Sequence, residues 1–139
     1  MSRIFEIGVF TASTQPYCDP IVAEIDKPRV IAHKLYRRHC SPVASKKNFS
    51  IFLQFLDKYV KDLRCVSNWR KQDIVIIDNL IYSFAGDLEN GIPIKPYIKG
   101  KEDYELEYIA NILDGVRDSP DVMMYMREVL KLNRFYHQI

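Results

Sequence analysis

The composition of this 139-residue chain, 47% hydrophobic and 27% charged, is that of a single globular domain and excludes a disordered or low-complexity protein. Its net charge of +2 gives no reason to expect nucleic acid as a partner, and no apolar run approaches the roughly 18 residues of a membrane span. The cysteines, Cys18, Cys40 and Cys65, are odd in number and lack the spacing of a metal site, and no secretory signal precedes the first predicted strand. We therefore expect an intracellular protein in a reducing compartment, with buried thiols.

A strand, a helix and a second strand are predicted at the start of the chain. Residues 5–10 are apolar enough for a buried strand and run into a hydroxyl residue, Thr11. Thr14 can cap a helix that Pro28 ends, and residues 30–36 form the second strand. The apolar residues expected on the inner face of this helix are Tyr17, Ile21, Val22 and Ile25. The order of these elements predicts a parallel strand–helix–strand unit.

Basic residues gather around the end of the second strand and recur a few positions later. They are Lys34, Arg37, Arg38, His39, Lys46 and Lys47. Such a cluster suits an anionic substrate, and a solvated surface explains it equally well.

The segment between residues 41 and 63 carries a helical pattern of apolar residues. They recur at spacings of three and four: Phe49, Phe52, Leu53, Leu56, Tyr59, Val60 and Leu63. The pattern predicts a helix, and such a stripe is more often core than a cofactor site.

Four consecutive β-branched residues at positions 74–77 predict a strand buried on both faces, as in a parallel sheet flanked by helices. Asp78 and Asn79 follow at its carboxyl end, which is where open α/β sheets bind ligands. Two explanations of this pair stay open. Its oxygens can bind a hard cation such as Mg²⁺, or the two residues simply start a turn, which Asp and Asn favour.

The last third of the chain predicts a short extended piece and two helices. A turn at Asn90-Gly91 precedes the extended piece, which Pro93 restricts to an edge or loop. One helix is predicted over residues 103–116 and another after Ser119-Pro120, which caps it. The residues expected on the inner faces of the two helices are Leu106, Ile109, Ala110 and Leu113, then Val122, Met126, Val129 and Leu130. Because no repeat or linker interrupts the pattern, residues 1–139 are expected to form one domain.

Several short segments carry a family resemblance when they are taken together and in order. They are Phe10-Thr-Ala-Ser13 with Tyr17-Cys-Asp-Pro20, Leu35-Tyr-Arg-Arg-His-Cys40, Tyr59-Val-Lys-Asp-Leu63, Val75-Ile-Ile-Asp-Asn79 and Glu89-Asn-Gly-Ile-Pro-Ile94. From Phe5 onward, nearly the whole chain resembles the catalytic domain of the CTD small phosphatases, the NLI-interacting-factor group of the haloacid dehalogenase superfamily. The resemblance implies an α/β fold with a Rossmann-like parallel sheet and flanking helices.

The resemblance also implies a reaction and a role for particular residues. Family members transfer a phosphoryl group from phosphoserine or phosphothreonine to an aspartate and hydrolyse the aspartyl phosphate with Mg²⁺ bound. By position, the hydroxyl of Thr11 donates to a phosphoryl oxygen and Lys61 neutralises developing charge. Arg37 matches an arginine near the substrate phosphate. Asp78 and Asn79 match the motif that holds Mg²⁺ directly or through water.

The sequence departs from the family pattern in three ways. Leu80-Ile81 stands after the Asp-Asn pair where the family usually has Ser-Pro. The stretch of about residues 42–58 is longer than in typical members and is a possible insertion, and the family predicts a hairpin around Tyr59 where the periodicity predicts a helix. Most importantly, the 139 residues contain no Asp-x-Asp, whereas family members carry the nucleophile and the general acid/base in an Asp-x-Asp-x-Thr motif on their first strand.

The third departure bears on both activity and fold. Loss of a covalent nucleophile can cost on the order of 10⁶ in rate, so the chain as given is expected to be an inactive phosphatase. The first-motif strand lies mid-sheet in this fold, so we expect an N-terminally incomplete domain with open strand edges. A truncated enzyme, a strand donated by a partner chain, and direct pairing of the flanking strands each remain possible. The alternative function is a non-catalytic pseudophosphatase subunit of a larger assembly, in which a phosphoprotein or another protein fills the open sheet.

Overall fold

Short parallel strand pairs and helices give the chain an α/β structure, which a computed structural model describes over residues 4–42 and 59–132. The chain divides into two compact units, Met1–Asp62 and Leu63–Ile139. The strands of the described ranges pair two by two, and each pair lies within one unit. None of the three cysteines, all of which lie in these ranges, forms a disulfide.

The first unit begins with the predicted strand–helix–strand arrangement. Strand β1 (Ile7–Phe10) pairs in parallel with β2 (Ile31–Leu35), and helix α1 (Gln15–Ile25) connects them. Both strands are shorter than the sequence predicted. After α1 the Asp26 carboxylate accepts hydrogen bonds from the backbone N–H groups of Val30 and Ile31, at 2.8 and 3.1 Å. Asp26 thereby fixes the turn that leads from the helix into β2.

The face of α1 that packs against the strands is not the predicted one. Cys18 and Val22 are buried with Tyr36, and Val9 and Ile31 pack against this cluster. Tyr17, Ile21 and Ile25, which were predicted to face inward, are 66%, 46% and 67% exposed, and only Val22 of the predicted face is buried. Two short strands cover a single row of helix residues four positions apart, so the neighbouring apolar row stays on the surface.

A small hairpin completes the described part of the first unit. Strand β3 (Ser41–Pro42) pairs antiparallel with β4 (Tyr59–Val60). The helical prediction is therefore wrong at Tyr59 and Val60, where the family's hairpin is found instead. The remainder of that predicted helix up to residue 58, and nearly all of the possible insertion at 42–58, lie outside the described residues.

In the second unit, β5 (Ile76–Asp78) pairs in parallel with β6 (Gly91–Pro93), and 3₁₀ turns over Ile81–Asn90 connect the two strands. Strand β5 starts two residues later than predicted, because a 3₁₀ turn at Lys71–Asp73 precedes it. The prediction that this strand is buried on both faces is wrong, since Ile76 is buried while Ile77 is 40% exposed.

Helices α2 (Glu105–Arg117) and α3 (Val122–Val129) close the described chain. Their buried residues are Ile109, Ile112 and Val116 in α2 and Val122 and Met126 in α3. Leu106 and Val129 were predicted to face inward, but they are 74% and 47% exposed. The predicted Ser119-Pro120 cap is also wrong, because the Asp121 carboxylate accepts the N–H of Met124 at 3.0 Å and so caps α3.

No helix within residues 4–42 and 59–132 has the length and apolar character needed to cross a bilayer.

Candidate functional site

Thr11 lies directly after β1, at the carboxyl end of the parallel strand pair. Its backbone N–H donates to the carbonyl of Leu35 at 2.9 Å, which continues the β1–β2 pairing by one residue. Its hydroxyl oxygen accepts the N–H of Ser13 at 3.0 Å. Because this hydroxyl acts as an acceptor toward the protein, its hydrogen can be donated to a bound anion.

Arg37 follows β2 at the same end of the strand pair. Its N–H donates to the carbonyl of Ser13 at 2.9 Å, and its Nε donates to the carbonyl of Ala12 at 2.7 Å. The guanidinium carbon lies 5.2 Å from the ring centroid of Tyr59, which is a cation–π distance. Arg37 is thus held against the connection between β1 and α1, which begins at Thr11.

Lys61 comes directly after β4 in the same unit and is half-buried. Tyr59, two residues earlier, stacks under the Arg37 guanidinium and so places β4 beside the carboxyl end of β1 and β2. All three residues, Thr11, Arg37 and Lys61, therefore belong to the first unit. Lys61 follows β4, whose Tyr59 contacts Arg37.

Asp78 is the last residue of β5 and is only 7% exposed. One of its carboxylate oxygens accepts the N–H of Leu80 at 2.8 Å, and its carbonyl accepts the N–H of Ile94 at 3.1 Å. Asn79 follows it and is exposed. The carboxylate therefore shapes the turn after the strand, as one of the two explanations expected, and it does so at the strand end where ligands bind.

Asp78 and Asn79 lie in the second unit, apart in sequence from the Thr11, Arg37 and Lys61 set. Within the ranges that the structure covers, no group of three or more His, Cys, Asp or Glu side chains is arranged to hold a metal ion. Mg²⁺ commonly takes only one or two carboxylates and completes its shell with phosphate oxygens and waters. One buried carboxylate and one exposed carboxamide fit that incomplete donor set, and they do not form a dedicated metal cage.

Tyr36 and Asp19 form a polar pair that the sequence analysis did not identify. The Tyr36 hydroxyl donates to the Asp19 carboxylate at 2.6 Å. This bond raises the pKa of Tyr36 to about 12 and, with a weaker contribution from the Gln15 amide, lowers the pKa of Asp19. The pair fixes the residue before Arg37 against helix α1. The two residues are 17 positions apart, and no local sequence pattern predicts a contact at that separation.

Two buried polar residues in the second unit were missed as well. Asp87 accepts the N–H of Leu63 at 3.1 Å and forms an ion pair with Lys71. Asn90, fully buried, donates from its amide to the carbonyls of Lys71 and Ile74 at 2.6 and 2.9 Å. These bonds fix the segment that leads into β5, the strand that ends at Asp78.

Comparison with known proteins identifies the family of the chain. Residues 1–123 match the model of the NLI interacting factor-like phosphatase family, and the chain belongs to that family. The resemblance identified from the sequence motifs is thereby confirmed, and this family implies a haloacid dehalogenase-like fold.

Several curated relatives carry phosphatase names. The chain is 33% identical to CTD small phosphatase-like protein 2 of Dictyostelium discoideum over 99% of its own length and 22% of that protein. It is 32% identical to CTD small phosphatase-like protein 3 of Caenorhabditis elegans, over 94% of this chain and 40% of the relative. It is 31% identical to CTD nuclear envelope phosphatase 1 of Xenopus tropicalis, over the whole chain and 50% of the relative. The chain thus spans half or less of the length of these relatives.

Proposed function

We propose that this chain supplies the phosphate-binding and metal-binding part of a protein serine/threonine phosphatase domain. The observation that carries the proposal is the convergence of Thr11 and Arg37 at the carboxyl end of the paired strands β1 and β2. Both residues fall within the segment that matches the phosphatase family.

Each proposed site residue suits a phosphoryl group. The Thr11 hydroxyl donates to one phosphoryl oxygen, and Arg37 supplies the Nη groups of a planar guanidinium whose Nε is already anchored on Ala12. Lys61 supplies a positive charge that offsets the charge spreading over the oxygens as the phosphoryl group is transferred. Asp78 and Asn79, in the second unit, would hold Mg²⁺, which when bound supplies the Lewis-acid chemistry that phosphoryl transfer uses.

The chain by itself is proposed to be inactive. Its 139 residues contain no Asp-x-Asp, the motif in which family members carry the nucleophile and the general acid/base. On this proposal, residues outside the given sequence, from a longer chain or from a partner, supply that strand. An intracellular, reducing location remains the expectation from the cysteine content.

Binding of a phosphopeptide tests the phosphate site without requiring turnover. We expect the chain to bind a peptide with one phosphoserine more tightly than the unphosphorylated peptide, by fluorescence anisotropy in about 5 mM Mg²⁺. Thr11→Val, Arg37→Gln and Lys61→Met should each weaken the phosphopeptide about three- to tenfold, because each removes one contact to the anion. Lys27→Gln removes an exposed positive charge elsewhere in the same unit and should change little.

The outcome that contradicts the phosphate site is equal binding of the two peptides, or equal losses in Lys27→Gln and the three site variants. The proposed inactivity has a separate readout. Phosphate release by the purified chain that disappears in Asp78→Asn would show that the chain carries a complete catalytic site of its own.

A second candidate is a non-catalytic subunit, and one observation favours it. Ile77, Leu80 and Ile81, beside Asp78, are 40%, 41% and 49% exposed, which places apolar surface next to the candidate metal ligands. A protein partner that completes the assembly would cover these side chains. A purified chain that stays soluble and monomeric at micromolar concentration, as judged by analytical ultracentrifugation, would argue against this candidate.

A further inference from the structure

Two consecutive arginines after β2, Arg37 and Arg38, both contact the connection between β1 and α1. Arg37 bonds the carbonyl of Ala12, as described above, and the Nη1 of Arg38 donates to the Oε1 of Gln15 at 2.7 Å. Ala12 and Gln15 lie three residues apart and flank the start of α1. The 3₁₀ turn of Arg37–His39 therefore directs both guanidinium groups to the β1–α1 connection.

Each guanidinium also lies over an aromatic ring. The Arg38 guanidinium carbon is 5.2 Å from the ring centroid of Tyr36, and Arg37 has the same relation to Tyr59. Tyr36 is itself buried and anchored on Asp19. An arginine stacked on a fixed ring has already lost side-chain freedom, so binding an anion costs it less conformational entropy.

The hydrogen-bond acceptors of the two guanidinium groups are uncharged: a backbone carbonyl for Arg37 and a side-chain amide for Arg38. Within residues 4–42 and 59–132, neither Arg37 nor Arg38 forms an ion pair with a carboxylate. The Asp19 carboxylate, on the neighbouring helix α1, is engaged by Tyr36 and Gln15 and lies 3.7 Å from the Lys34 ammonium. Two preorganised guanidiniums thus share one connection without a paired carboxylate in the described part of the chain, which is more positive charge than a single phosphate site requires.

We propose that Arg38 determines substrate specificity by binding a second anionic group, next to the phosphorylated residue that Arg37 recognises. The preferred substrates are then phosphoserine or phosphothreonine peptides with an acidic or a second phosphorylated side chain beside the phosphorylated one. This inference rests on the proposed phosphate site. It explains why the basic cluster at the end of β2 contains more than the one arginine that the family resemblance assigned.

A set of matched peptides tests the inference by fluorescence anisotropy with the full chain. The peptides carry one phosphoserine among neutral residues, the same phosphoserine with an aspartate on either side, or two adjacent phosphoserines. The wild type should bind the two peptides with additional anionic groups about three- to tenfold more tightly than the peptide with one phosphoserine among neutral residues. Arg38→Gln should remove this preference and leave binding of the singly phosphorylated peptide within about twofold.

Two further variants separate a specific contact from net charge. Arg38→Lys keeps the charge but loses the planar group stacked on Tyr36, so it should restore only part of the preference. Lys27→Gln should leave the preference intact, because Lys27 lies at the far end of α1, where it pairs with Glu24. Thermal melts followed by circular dichroism confirm that each variant is folded at the assay temperature.

The possible failures are distinguishable. A wild type that binds the singly phosphorylated peptide but gains nothing from a second charge overturns the role of Arg38 and leaves the phosphate site standing. Equal weakening of all peptides by Arg38→Gln and Lys27→Gln also overturns it. Absence of any phosphate-dependent binding overturns both proposals. Tighter binding of a single-stranded oligonucleotide than of any peptide, lost in Arg38→Gln, would assign Arg38 to nucleic acid instead and overturn the inference.

Discussion

Replacement of Asn90 offers the sharpest test of how the segment that leads into β5 is stabilised. The fully buried Asn90 amide donates to the carbonyls of Lys71 and Ile74, which lie on the segment entering β5. Each such bond contributes about 1 kcal/mol net, and truncation of a fully buried side chain also leaves a cavity. We therefore expect Asn90→Ala to lower the free energy of unfolding by about 3 kcal/mol. Asn90→Asp should cost more, because it turns an acceptor toward two carbonyls that need a donor.

The chain contains one tryptophan, Trp69, and it lies in the same unit, so its fluorescence during urea unfolding reports on this region. A loss of about 3 kcal/mol corresponds to a fall of roughly 1–2 M in the urea midpoint. Ser83→Ala is the matched control, since the buried Ser83 hydroxyl has no hydrogen-bond partner within the described ranges and should be dispensable to within about 0.5 kcal/mol. The reasoning is refuted if Asn90→Ala shifts the midpoint no more than Ser83→Ala, or if Asn90→Asp is as stable as wild type.

Two further predictions concern close packing and pH. A Cβ added at Gly91 would lie 2.0 Å from the buried Phe84 ring, so Gly91→Ala should destabilise the second unit by about 2–3 kcal/mol in the same urea experiment. A Cβ added at Gly86 meets nothing within 4 Å, so Gly86→Ala should be neutral or slightly stabilising. Equal effects of the two substitutions would contradict the close approach of Gly91 to Phe84. The pKa of Tyr36 is raised from its ordinary 10.0 to about 12 by its bond to Asp19, so its contribution to stability should be complete below about pH 10 and lost as the pH rises toward 12. Melting temperatures measured across this range should show a smaller alkaline decline in Tyr36→Phe than in wild type, and parallel declines would exclude the assignment.

The sequence motifs were sufficient to identify the family, whereas local periodicity predicted the buried faces only in part. Ile109 of α2 and Val122 and Met126 of α3 are buried as predicted, but most of the predicted face of α1 is exposed. In α1 the pattern pointed to Tyr17, Ile21 and Ile25, yet the strands cover the Cys18 and Val22 row. Both rows are apolar and have helical spacing, so only contact with β1 and β2 decides between them. The same holds for Ile77, whose β-branched character predicts a strand but says nothing about what covers its outer side.

What the sequence by itself determined is the family, the order of the strand and helix elements outside residues 41–63, and the chemical types of the candidate site residues, since these depend on local composition and on the order of short motifs. The tertiary structure decided which of these residues meet. Parallel pairing of β1 with β2 brings Thr11 and Arg37 to one strand end, although 26 positions separate them in the sequence. It likewise joins Tyr36 to Asp19, which lies 17 positions earlier in the sequence. Such contacts arise from chain crossover and packing, and no local pattern of residues encodes them.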